Sequence, residues 1–227
     1  LTTEYYFFKG ESLLNKTLSS IPSISPSHSH ELRIAVTGQM RTGKDTIAQA
    51  ISQYLNHAGY SVFPHTFGES LKAVATQLFP EEFKDGKKPR ELFQWLGQTM
   101  RQRNEDVWIN QVNQAISELN ELSNDSDITH VAHIITDLRQ PNEYEYCKMN
   151  NFIIIKVTCD DEVRIKRMQE LDDNFKVDDL NHETELHINY FNPDYTLDTT
   201  YLDQEQMKET IQGFTKQLLK RQQYRGE

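Results

Sequence analysis

Cysteine is nearly missing from this chain: there are two in 227 residues, Cys147 and Cys159, with no C-x-x-C spacing. A disulfide framework and a zinc site therefore have no support, and a reducing, cytoplasmic setting is the default. Long apolar runs are missing as well. No stretch approaches the roughly 20 residues of a membrane span, and no basic region precedes an apolar core near the first residue. Neither a membrane anchor nor a secretory signal is expected. Basic residues are outnumbered, 24 Lys and Arg against 34 Asp and Glu, for a formal net charge of -10. A nucleic-acid or anionic-membrane surface wants a net basic face, so the expected partners are small molecules, met by a local basic pocket.

What is present is enough for one well-buried α/β domain. Residues 1 to about 31 differ from the rest, with an aromatic patch from Tyr5 to Phe8 and a Ser/Pro/His-rich run from Ser19 to His30. They are read as an arm or linker. The patch is either a contact for a partner or a terminal segment packed on its own domain, and the second is favoured.

From residue 32 the pattern alternates. Strands are expected near 32–37, 60–66, 131–136, 152–158 and 195–197, and helices near 43–57, 69–79, 90–101, 105–122, 142–149, 160–171 and 203–222. Strand alternating with helix predicts right-handed crossovers and a parallel five-stranded sheet with helices on both faces. The helical insertion at about 67–122 is large enough to cover a substrate.

Two segments carry chemistry. Gly38-Gln39-Met40-Arg41-Thr42-Gly43-Lys44-Asp45-Thr46 follows an apolar strand and opens a helix. Its G-x-x-x-x-G-K core turns tightly, aims backbone N–H groups inward and supplies a lysine for a triphosphate's outer phosphates, with the helix dipole behind. Where a Ser or Thr usually follows the lysine, this chain has Asp45, then Thr46. The second segment, Thr136-Asp137-Leu138-Arg139-Gln140-Pro141-Asn142-Glu143, lies at the carboxyl end of a strand, where ligands gather in open α/β sheets. Asp137 can hold magnesium or its waters, and Arg139 can fork onto a phosphate.

Four motifs in one order, Gly43-Lys44-Asp45-Thr46, Phe67 to Lys72, Leu92 to Gln98 with Arg101 and Trp108, and Asp137 to Glu143, resemble the phage-type deoxynucleoside monophosphate kinases. More distantly, they resemble the P-loop phosphomevalonate kinases. The resemblance implies a P-loop kinase fold over 32–227, with an acceptor-binding insertion and a lid at about 160–184. It implies ATP and Mg2+, with Gly38, Arg41, Thr42, Gly43, Lys44, Asp45 and Thr46 holding the donor and Asp45 and Asp137 serving the metal. Lys72, Arg101 and Arg139 are implied for the acceptor phosphate, and Lys44, Arg139 and the lid arginines Arg164 and Arg167 for the transferred charge. Such an enzyme would work in the cytoplasm, the host's if phage-encoded, as a monomer or homodimer.

Other residues are read from their own chemistry. Gly97, costly inside a helix, suggests close backbone approach by the acceptor. Trp95 and Trp108 are expected in the core, and His182 to Glu185 at the surface. Two further functions stay open: a kinase of another small phosphate ester, and a nucleotide-binding regulatory protein without transfer activity.

Overall fold

A computed structural model describes residues 30–86, 89–124, 128–170 and 183–223. The Tyr5–Phe8 arm and residues 171–182 of the expected lid, including His182, lie outside the described residues.

The elements run β1 (His30–Gly38), α1 (Lys44–His57), β2 (Ser61–His65), α2 (Phe67–Leu78), a 3-10 turn (Pro80–Gly86), α3 (Arg90–Arg103) and α4 (Val107–Asn124). They continue with β3 (His130–Leu138), α5 (Pro141–Met149), β4 (Ile153–Thr158), α6 (Asp161–Glu170), α7 (Glu183–His187), a 3-10 turn (Ile188–Tyr190), β5 (Tyr195–Asp198) and α8 (Gln204–Gln223). All strand pairs are parallel, in the order β2-β3-β1-β4-β5. The expected sheet is therefore present, and β1 begins two residues inside the segment read as an arm.

Both sheet faces are buried because the central strands are apolar at consecutive positions. Ile34, Val36, Ile134, Ile155 and Val157 pack with Ile47, Ile51 and Leu55 of α1 and Met207 and Ile211 of α8. Ala35, Ile135 and Ile154 pack on the opposite face with Trp108, Ile109, Val112 and Ile116 of α4 and Tyr146 and Cys147 of α5. A two-residue period sends neighbours to opposite layers, and each buried Ile or Leu contributes about 1.5–3 kcal/mol.

The site is positioned by strand order. From β1 the chain crosses β3 to reach β2, and from β3 it crosses β1 to reach β4, so the order in which strands are added reverses between β1 and β3. The β1–β3 ladder slips between Ala35 and Thr37, and the Thr37 hydroxyl donates to the Leu138 carbonyl at 2.7 Å. The loops after these two strands therefore face one crevice.

Candidate active site

The loop after β1 folds on its own polar groups. Thr42 donates to the Gln39 carbonyl through both its amide, at 3.3 Å, and its hydroxyl, at 2.9 Å. Arg41 at φ 63 and Gly43 at φ 91 take the left-handed turns. Gly38 is fixed by crowding: an added Cβ would stand 2.7 Å from the Val157 carbonyl oxygen. Lys44 opens α1 and is buried. Burial first, then the Arg139 guanidinium, push its ammonium pKa down, while Asp45, Glu185 and Asp137 pull it back up. Asp45 points outward, its side chain 82% exposed and 3.9 Å from the Lys44 ammonium.

The turn after β3 joins three elements. Asp137 receives the N–H of Phe67 at 2.8 Å on one oxygen and that of Gly68 at 3.0 Å on the other. It thereby caps the start of α2 from another strand. Burial raises its pKa, and the two amides, Arg139 and Lys72 oppose the rise. Glu143 accepts the amides of Arg139 and Gln140 at 3.0 and 2.9 Å, closing a capping box with Pro141 at the start of α5. Burial and the Asp137 charge push the Glu143 carboxyl up to about 7, against those amides and Arg101. Arg101 lies 3.4 Å from it. Asn142 donates to the Glu105 carbonyl at 3.1 Å and to Asp106 at 3.0 Å. The turn thus anchors the junction between α3 and α4.

Between the loop and the insertion lies a cavity of about 400 Å³. Phe67, Leu71 and Phe93 give it apolar walls, Gln94, Gln98 and Gln140 line it with amides, and Arg90, Arg101 and Arg139 bring charge, beside Met40. Its carboxylates are Asp137, Glu143 and Glu185.

Asp137, Arg139 and Arg101 line this cavity together, and Lys44, which is not among its lining residues, lies within charge range of Arg139 and Asp137. Lys72 is not among the cavity residues; it lies on the exposed side of α2, its charge felt by Asp137. The lid arginines need correction. Arg164 is buried, donating to the Met40 carbonyl and the Gln39 side chain at 2.9 Å each, with Asp161 at 2.6 Å. Arg167 donates to the Arg41 carbonyl at 3.3 Å and to the Thr199 carbonyl at 3.0 Å. Both brace the phosphate loop from outside, where α6 packs beside it.

Three further readings change. Gly97 makes room for Arg101 and Leu71, whose atoms would lie 3.3 and 3.4 Å from an added Cβ. Trp108 is in the core, but Trp95 is 56% exposed, edge-on to Phe79. Glu185, read as a surface residue, is buried and bonded to the Met40 amide at 2.7 Å and to Arg139. Its acidic context gave no sign of those partners.

A model of the AAA domain family matches residues 34–189, from within β1 to within the second 3-10 turn. The chain belongs to the AAA domain family. Within the family match lie the phosphate loop, the insertion, the Asp137 turn and Glu185. No curated protein matches the chain. Among solved structures, TT1252 from Thermus thermophilus shares 18% identity over 84% of this chain and 99% of its own, with a TM-score of 0.49. Shikimate kinase from Bacteroides thetaiotaomicron shares 15% over 82% and 98%, TM-score 0.44. Shikimate kinase from Acinetobacter baumannii, solved with shikimate, shares 18% over 86% and 98%, TM-score 0.44. Among the described residues no helix is long and apolar enough to cross a membrane, and no three His, Cys, Asp or Glu cluster as a metal site.

Proposed function

We propose that this protein is an ATP- and magnesium-dependent kinase that phosphorylates a nucleoside monophosphate, most naturally a deoxynucleotide, to the diphosphate. The observation that carries the reading is the cavity beside the phosphate loop, with Arg90, Arg101 and Arg139 set among aromatic and amide walls. A phosphate needs converging cations before it can approach a triphosphate. A flat base suits the half-buried Phe93 as a surface and the exposed Gln94 and Gln98 as edge readers.

The cavity's acids are tied into its walls. Asp137 and Glu143 each accept two backbone amides, and Glu185 accepts one beside Arg139. These hydrogen bonds commit the three carboxylates to holding the backbone and Arg139, and a phosphate nucleophile needs no base. Asp45 and Asp137, whose charges both act on the Lys44 ammonium, would hold a magnesium ion through its waters, and that ion would neutralise donor charge. Lys44 and the loop amides then bind the donor, Arg139 orients the acceptor, and Arg164 and Arg167 hold the loop's shape.

The test is ATP turnover against a panel of ribo- and deoxynucleoside monophosphates, with mevalonate phosphate and shikimate included. Acceptor-stimulated turnover with nucleotides, lost by about 100-fold or more in K44A and R139A, is expected. No stimulation by any nucleotide would refute the reading.

A further inference from the structure

The proposed reaction gives Glu185 nothing to do, yet this acid touches both halves of the site. Its Oε2 accepts the Met40 N–H of the phosphate loop at 2.7 Å, and its Oε1 accepts from the Arg139 guanidinium. Nη2 of Arg164, which has no hydrogen-bond partner among the described residues, lies 3.9 Å from Oε2. One carboxylate therefore links the β1 loop, the β3 turn and α6.

The pair with Arg139 is lopsided. The glutamate side chain is 2% exposed and the arginine side chain 29%. The acid is the inner partner, and the guanidinium keeps a face toward the cavity that both residues line. An unbacked arginine carries about 2 kcal/mol of rotamer entropy, and fixing it in advance lowers the cost of binding a phosphate in one geometry. An ionised acceptor offers this carboxylate no proton to take.

We propose that Glu185 is a positioning residue for the acceptor: it pins the Arg139 guanidinium to the Met40 amide, so that the acceptor cation and the donor loop keep one register. The proposal rests on the cavity being the acceptor site. No bond is made or broken at Glu185. Its effect on turnover passes through Arg139, which separates it from a general packing role.

The test uses the full chain and four variants: E185A, isosteric E185Q, R139A and the double variant E185A/R139A. Arginine-selective NMR of the unliganded wild type should show a slowly rotating Arg139 guanidinium, assigned by its loss in R139A. That signature should average out in both Glu185 variants, E185Q guarding against a fold lost in E185A. In kinetics, E185A should lower kcat at least about tenfold with the KM for ATP held within about threefold. In the R139A background the same change should cost less than about twofold. Equal losses in both backgrounds, an unchanged kcat, or an Arg139 signal unaltered in E185Q would overturn the proposal. Absence of wild-type turnover with every acceptor would refute the proposed function instead, and the NMR result would then decide Glu185 alone.

Discussion

Replacing Asp137 with asparagine separates two roles that a strand-end aspartate can have. In the structure each of its oxygens receives one amide, from Phe67 at 2.8 Å and Gly68 at 3.0 Å, so the side chain fastens α2 to β3. Asparagine keeps one oxygen and turns an NH2 toward the other N–H, donor against donor. Losing a hydrogen bond to a charged group costs about 1.5–3 kcal/mol, and a stranded buried amide about 1–3 kcal/mol. Against this stands relief from holding a carboxylate where burial raises its pKa. The net expectation is a loss of about 1–3 kcal/mol. It should be measured by urea unfolding in chelator, as a lower midpoint at unchanged slope. Hydrogen exchange at the Phe67 and Gly68 amides should accelerate about tenfold for every 1.4 kcal/mol lost locally. An unchanged midpoint in chelator, joined to an altered magnesium dependence of turnover, would refute the capping argument and make Asp137 a metal ligand first.

Two further substitutions test neighbouring parts. In G97A a gain of about 1 kcal/mol in helix propensity should offset the contacts at 3.3 and 3.4 Å, leaving stability within about 1 kcal/mol of wild type. Displacing Arg101 should raise the acceptor KM about 3- to 10-fold at constant KM for ATP, and an unchanged acceptor KM would remove Arg101 from the acceptor site. For pH, burial lowers His65 from 6.5 to about 4 and raises Glu143 from 4.5 to about 7. The His65 contribution is present above about 6.5 and lost as pH falls through 4; the Glu143 contribution is present below about 4.5 and lost as pH rises through 7. Each is worth up to about 3 kcal/mol, and they oppose between those limits. E143Q should therefore lose stability steeply from pH 6.5 to 4 in unfolding titrations, and a profile parallel to wild type would refute this balance.

The sheet was legible because its strands are apolar runs of Ile and Val and its helices keep a helical period, as in Ile47, Ile51 and Leu55. The Pro80–Gly86 turn was not, since a short 3-10 segment has no hydrophobic period to read. The phosphate loop declares itself by local spacing. Asp137, by contrast, could be placed at a strand end but not recognised as a cap, because its partners are 70 and 69 residues away. Glu185 was misread for the same reason: the burial of one acid depends on Met40, 145 positions earlier. Arg164 and Arg167 had the right sign of charge near the right loop, but the docking of α6 decides which face of that loop they meet. Gly97 was recognised as costly, and only the packed neighbours could say what the cost accommodates.

The Thr199 hydroxyl donates to the Thr42 carbonyl at 2.7 Å, across 157 positions, and the Thr199 carbonyl accepts Arg167. During vectorial synthesis, the motif that looks self-sufficient at positions 38–46 would emerge without its rear wall. A nascent chain stalled before β5 would hold the consensus yet lack the brace that closes it, and long-range closure of this kind comes late in folding. Nucleotide binding by such a chain would report the completion of the sheet's far edge, more than 150 positions downstream of the loop, rather than the presence of the loop itself.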